Sequence, residues 1–212
     1  MEGSLKQVVV DSCKKMLGAE LVRGTWGNVS IRNNDKIYIT PSGFSYELMR
    51  EDDIMIIDLD GKVLEGPHTP SSEWKLHVAI YKARPDVDCI LHTHPLNSSI
   101  ASVTLERVPA LIEDSAMICG PEINVAEYGD PGSWELANNT VAALGENGAV
   151  IMRNHGLVNV GKRFSEVFAG ANVTEKNVHI YIEALKIGKE IHQLSDETKT
   201  TLRKVYKEMY RQ

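Results

Sequence analysis

A chain of 212 residues is long enough to bury a substantial core but short for two domains, so one domain over 1–212 is expected. Its 42% apolar and 25% charged composition argues against disorder. A net charge of -6 argues against non-specific attraction to nucleic acid or to an anionic membrane. The first residues lack a basic flank followed by an apolar core, and no stretch approaches the length of a membrane span. With three widely spaced cysteines (Cys13, Cys89 and Cys119), these features lead to the expectation of a cytoplasmic protein that does not engage a membrane.

Apolar residues at Leu5, Val8, Val9, Cys13, Met16, Leu17 and Leu21 predict a first helix over Leu5–Leu21, with Ser4 as N-cap. Gly24-Thr25-Trp26-Gly27-Asn28 breaks that pattern. Short strands are predicted at Val29–Ile31, Lys36–Thr40 and Ile54–Asp58, separated by turn signals at Asn33-Asn34-Asp35 and Asp60-Gly61. Ser71-Ser72-Glu73 reads as a helix entrance, Trp74, His77, Val78 and Tyr81 mark one helical face, and Pro85 stops the helix. Cys89–His94 reads as a buried strand and Pro95 as the start of the next helix. A helix over Ser133–Leu144, strands at Ala149–Arg153 and Leu157–Val160, a long helix over Phe164–Ile187 and a helical tail from Ser195 complete the chain. Short antiparallel strands grouped with flanking helices fit an α+β layering.

Two histidines two residues apart on a strand project from one face, so His92 and His94 are candidates for two corners of a tetrahedral metal site. A His-X-His pair also occurs by chance. His155 is the best third candidate, because it follows a predicted strand and precedes a glycine at which the chain can turn. Glu73, at a helix start, can supply a fourth ligand or act as a general base, or can simply complement the helix dipole. His77 reads as a packed, hydrogen-bonded helix-face residue, and His68, His179 and His192 as loop or surface positions. Ser71 and Ser72 at a helix start, and the glycine–polar pairs Gly27-Asn28 and Ser42-Gly43, are candidates for holding an anion, although each singly is ordinary turn or capping chemistry.

Taken in order, Gly24-Thr25-Trp26-Gly27-Asn28-Val29-Ser30, Ile39-Thr40-Pro41-Ser42-Gly43, Pro70-Ser71-Ser72-Glu73-Trp74, His92-Thr93-His94 and Asn154-His155-Gly156-Leu157 resemble the class II aldolase/adducin family. The match is best to its L-fuculose-1-phosphate aldolase branch and runs from the first helix to about Gln193. The resemblance implies a three-layer α/β/α fold with a central, mainly antiparallel sheet flanked by helices. It also implies a homotetramer with active sites at subunit interfaces. Carried over, Glu73, His92, His94 and His155 match the metal ligands, with Zn2+ expected and Mn2+ or Co2+ also compatible. Glu73 also matches the proton-transferring carboxylate, and Gly27, Asn28, Ser42, Gly43, Ser71 and Ser72 match the positions that hold the substrate phosphate. The implied reaction is metal-dependent cleavage of a ketose 1-phosphate to dihydroxyacetone phosphate and an aldehyde.

The sequence departs from that branch after Pro109-Ala110-Leu111-Ile112, where a tyrosine that handles the C4 hydroxyl proton is replaced by Glu113-Asp114-Ser115. Glu113 or Asp114 is expected to take the role, unless they are solvated loop carboxylates. The change also makes a 5-deoxy- or 5-methylthio-pentulose 1-phosphate a good alternative substrate. Tyr206 and Tyr210 are candidates to close over the site, as a tail tyrosine does in the family. Rival activities within the superfamily are methylthioribulose-1-phosphate dehydration, sugar-phosphate epimerisation and decarboxylation. Ser72-Glu73 argues against the last two, because epimerases usually carry aspartate at the Glu73 position and decarboxylases tend to carry lysine before the glutamate. A non-catalytic adducin-like binding protein predicts missing ligands, and all four are present.

Overall fold

The structure is a computed structural model that describes residues 4–210. The chain opens with α1 (Leu5–Gly18), whose N-terminus is capped by Ser4, its hydroxyl accepting from the Gln7 N–H. The helix stops three residues short of the expected Leu21. Glu20 adopts a left-handed backbone (φ 55°), and the Leu21 N–H turns back to the Met16 carbonyl. Four strands follow as an antiparallel meander: β1 (Asn28–Asn33), β2 (Lys36–Ile39), β3 (Met55–Asp58) and β4 (Val63–Glu65). Next come α2 (Trp74–Ala83), β5 (Cys89–Thr93), α3 (Leu96–Thr104), β6 (Arg107–Pro109), α4 (Glu113–Ile118) and β7 (Glu122–Ala126). The chain ends with α5 (Trp134–Leu144), β8 (Ala149–Met152), β9 (Gly156–Gly161), α6 (Phe164–Ile187), α7 (Asp196–Val205) and a π-helical turn over Tyr206–Tyr210.

Among the described residues the strands form one nine-stranded sheet in the order β4-β3-β2-β1-β5-β9-β8-β7-β6. Every pairing is antiparallel except β7 with β8, so the sheet is mixed but mainly antiparallel, as expected. β5, at the centre, is buried at every residue. Alternation then divides its side chains between two cores. Cys89 and Leu91 pack with Val9, Cys13 and Met16 of α1 and with Val167, Ala171 and Val178 of α6. Ile90 packs on the other face with Leu76 and Ile80 of α2 and with Leu136 and Leu144 of α5. Helices therefore cover both faces, giving the three layers.

Three strands and one α-helix of the structure were not expected from the sequence. β4 and β6 are three-residue edge strands; β4 is exposed throughout, and β6 buries only Val108, so neither is long enough to show an alternation. α4 spans six residues, too few to display helical periodicity. It puts Glu113 and Asp114 in the first turn of a helix rather than in a loop. β7 does alternate over Glu122–Val125, with Ile123 and Val125 buried and Glu122 and Asn124 partly exposed, and was readable in principle.

Candidate functional site

Strand register brings the candidate residues to one end of the sheet. β1 begins with Asn28 opposite His92, and β5 ends with Thr93 opposite Leu157 of β9. The start of β1, the end of β5 and the start of β9 thus stand side by side. Glu73 arrives from the helix layer as the N-cap residue of α2. The Ser42 N–H donates to the Thr69 carbonyl and the Ser71 N–H to the Thr40 carbonyl, both at 2.9 Å, which draws Ser42-Gly43 alongside Ser71-Ser72.

Two glycines make the close approach possible. A Cβ on Gly27 (φ 118°) would lie 2.7 Å from the His92 carbonyl oxygen. One on Gly156 would lie 2.6 Å from the Thr93 carbonyl oxygen and 3.1 and 3.2 Å from the His92 and His94 rings. Just before it, Asn154 takes a left-handed backbone (φ 53°), which asparagine tolerates better than most residues, and this turn presents His155.

His92, His94 and His155 each offer a ring nitrogen within 4.8 Å of the others. His94 Nε2 is 2.8 Å from His92 Nε2, and Glu73 stands 3.2 Å from both His92 Nε2 and His155 Nε2. Ligand atoms about 2.0–2.1 Å from a tetrahedral ion lie about 3.3 Å apart, so these spacings suit one ion with little rearrangement. His92 Nδ1 donates to the Leu157 carbonyl at 3.0 Å, which turns the other nitrogen, as a lone pair, toward the cluster. Glu73 Oε1 is buried without a hydrogen-bond partner. A buried, incompletely satisfied carboxylate facing three imidazoles is a donor set suited to a divalent cation.

The electrostatics agree. Burial alone would raise the Glu73 carboxyl, but adjacent His92 and His155, with a hydrogen bond from Asn28, hold it well below the usual carboxylate range. Burial works against a charge on His92, yet Glu73 raises it above its ordinary value. Burial, then the positive field of His92, pushes His94 down to about 3 and His155 down to about 4. Both keep a lone pair free at neutral pH.

His77, fully buried behind the cluster, is pushed down to about 3, first by burial and then by His92. An unfolded histidine titrates near pH 6.5, so below that the unfolded state binds a proton that native His77 refuses. Stability must therefore fall as the pH drops, and His77 alone contributes about 2 kcal/mol of loss between pH 7.5 and 5. His94 and His155 act in the same direction, and His92 opposes them. Chelator-treated protein is expected to melt at least about 4 °C lower at pH 5 than at pH 7.5. Equal melting temperatures would mean that His77 is not held neutral.

Above the cluster lies a cavity of about 540 Å3 lined by Gly27, Asn28, Ser42, Gly43, Ser71, Ser72, Glu73, His94 and His155. The candidate anion-holding residues thus share one wall with the candidate ligands. Thr25, Trp26, Pro41, Tyr128, Pro131 and Asn154 complete the lining. Of these, Tyr128 and Pro131 come from the β7–α5 loop and carry no sequence signal. Glu113 and Asp114 do not line the cavity of their own chain, and Asp114 Oδ2 instead accepts from Lys176 Nζ at 2.8 Å. Arg203 of α7 donates to the Met117 and Ile118 carbonyls at the end of α4, so the tail docks there and Tyr206 is not in the lining. The side chain of Tyr210 lies outside the described residues.

Comparison with known proteins agrees with this geometry. The family model described as Class II Aldolase and Adducin N-terminal domain matches residues 7–182. The L-fuculose phosphate aldolase of Escherichia coli (strain K12) is 34% identical over 193 residues, covering 91% of this chain and 89% of the relative. The 5-methylthioribulose-1-phosphate/5-deoxyribulose-1-phosphate aldolase of Escherichia coli O45:K1 (strain S88 / ExPEC) is 32% identical over 203 residues, covering 96% and 95%. A solved L-fuculose 1-phosphate aldolase superimposes with a TM-score of 0.92 at 32% identity, covering 98% of both chains. The chain belongs to the class II aldolase and adducin family.

Proposed function

We propose that this chain is a metal-dependent aldolase that cleaves a ketose 1-phosphate reversibly to dihydroxyacetone phosphate and an aldehyde. The observation that carries this is the convergence of Glu73, His92, His94 and His155 beneath a cavity whose wall holds six candidate phosphate-binding residues. Relatives that act on L-fuculose phosphate and on 5-methylthio- or 5-deoxyribulose 1-phosphate narrow the substrate to a ketose 1-phosphate of that kind.

In this reading Glu73, His92, His94 and His155 hold Zn2+, with Mn2+ or Co2+ also compatible with three nitrogens and a carboxylate. The bound ion supplies Lewis-acid polarisation of the substrate C2 carbonyl. Gly27, Asn28, Ser42, Gly43, Ser71 and Ser72 bind the phosphate and so place C3 and C4 over Glu73. Loss of the C4 hydroxyl proton breaks the C3–C4 bond and makes C4 the aldehyde carbon. The electron pair passes to C3, conjugated with C2, and Glu73 delivers a proton to C3. One proton leaves O4 and one arrives at C3, so the reaction balances.

Glu113 or Asp114 of a neighbouring copy accepts the C4 proton in this scheme, and the chain works as a homotetramer with active sites at subunit interfaces. Supporting this, Leu96, Ile100 and Val103 form an exposed apolar stripe at helical spacing on α3, and exposed Trp26 stands at the cavity rim. A cytoplasmic location suits three free, buried cysteines, and no described helix is long and apolar enough to cross a membrane.

The test is a coupled assay for dihydroxyacetone phosphate with L-fuculose, D-ribulose, 5-deoxyribulose and 5-methylthioribulose 1-phosphates, with and without chelator. Release from at least one substrate that chelation abolishes is expected, and Glu113→Gln or Asp114→Asn should cut it by about 10²-fold or more. Release that survives chelation would refute the metal mechanism. Full turnover in both carboxylate variants would remove their role.

A further inference from the structure

From Asn28 and Glu73 a chain of buried polar side chains runs back behind the cavity floor through His77, Ser30 and Tyr81, three residues that the scheme above leaves unused. Glu73, His77 and Tyr81 fall at i, i+4 and i+8 on one face of α2, opposite Asn28 and Ser30 at alternate positions of β1. Ser30 and His77 are fully buried, Tyr81 is 1% exposed and Asn28 is 3% exposed. In such surroundings each donor must meet an acceptor, and here only one direction satisfies them all.

The carboxylate at the end of the chain sets that direction. Glu73 Oε2 can only accept, and Asn28 Nδ2 donates to it at 2.9 Å. The same amide therefore turns Oδ1 toward His77 Nε2, so that nitrogen must carry the ring hydrogen. His77 Nδ1 is then an acceptor, and Ser30 Oγ donates to it at 2.6 Å. Ser30 Oγ in turn accepts from the Tyr81 hydroxyl at 2.7 Å, a better geometry for that hydrogen than the Asp88 carbonyl at 3.4 Å. Every hydrogen points toward Glu73. With no donor at His77 Nε2, Asn28 Oδ1 would lose its partner, and the Glu73 carboxylate alone would be left to hold the amide in place.

We propose that His77 is a positioning residue for Glu73. Its Nε2–H locks the Asn28 amide with the NH2 group toward the carboxylate, holding Glu73 in the orientation that faces the three histidines and the cavity. This rests on reading Glu73 as the carboxylate that carries the proton.

Two measurements test it. Long-range 1H–15N spectra of the metal-free wild type should show His77 as the Nε2–H tautomer. In activity assays, the amide nitrogen of glutamine at 77 can stand in for Nε2, whereas asparagine can mimic only Nδ1. His77→Asn is therefore expected to lose about 10–100-fold in kcat, as outer-sphere partners typically do, with KM within about threefold of wild type. His77→Gln should recover most of that loss, at a similar melting temperature. An Nδ1–H tautomer, or equal losses in the two variants, would overturn the proposal. If the wild type released dihydroxyacetone phosphate from no ketose phosphate, the aldolase reading would fail, and the tautomer would still decide whether His77 orients Asn28.

Discussion

Replacing Glu73 with glutamine is expected to lower turnover by about 10²–10⁴-fold, the range lost when a positioned acid–base group is removed. The substitution keeps the volume of the side chain at the α2 N-cap but removes the carboxylate that carries the proton to C3 in the proposed scheme. It also puts an amide where Asn28 Nδ2 and His92 Nε2 both face an acceptor, at 2.9 and 3.2 Å. One orientation of that amide would set two NH2 groups against each other, so bound metal should fall as well. Loss of the negative charge should let His92 drop from its raised value toward the depressed values of His94 and His155. Dihydroxyacetone phosphate release at saturating substrate, with metal content measured on the same sample, checks both effects. Turnover within tenfold of wild type would remove Glu73 from proton transfer.

The second large effect is structural. Gly156→Ala should strip the centre of its metal, because the new Cβ would meet the Thr93 carbonyl at 2.6 Å and two ligand rings at 3.1 and 3.2 Å. The carbonyl cannot retreat freely, since Thr93 lies in the β5–β9 pairing opposite Leu157. The strain should cost about 1–3 kcal/mol of stability, as overpacking typically does. It should be relieved by spreading the strands, which separates His155 from His92. Metal content below about a tenth of wild type and a loss in turnover of about 10²-fold or more are expected. Gly18→Ala is the control, because a Cβ at that helix-terminal position meets nothing within 4 Å. A Gly156→Ala protein that keeps full metal would mean that the strands tolerate the wider spacing.

How far the sequence could be read followed from how local each signal is. The long helix Phe164–Ile187 emerged with correct bounds and the first helix with a correct start but an end placed three residues too late, and Ser4, Ser133 and Ser195 cap helices in the structure. The three-residue edge strands β4 and β6 and the six-residue helix α4 did not emerge, because three residues of strand and fewer than two turns of helix show too little alternation to stand out. The site behaved in the same way. His92 and His94 were linked by strand geometry alone, and His77 was rightly read as packed and hydrogen-bonded. That Glu73 and His155 converge on them depends on β1, β5 and β9 being neighbours, which no local pattern encodes. The positions of Tyr128 and Pro131 depend on where a loop folds back, and Asp114 pairs with Lys176 across two helices.

The placement of the histidines on β5 and at the entry to β9 bears on the order of events as the chain folds. No two neighbouring strands in β1-β5-β9 are consecutive in the chain, so beyond the local His92–His94 pair the donor set is made of contacts between distant segments, the kind that form late and slowly. A partly folded chain would offer His92 and His94 but not Glu73 and His155, and would hold an ion weakly. An ion retained by all four would therefore favour only the completed sheet, by about 4 kcal/mol at a concentration a thousandfold above its dissociation constant. Supply of metal to the newly made chain would thus govern how long it stays folded as well as whether it turns over substrate.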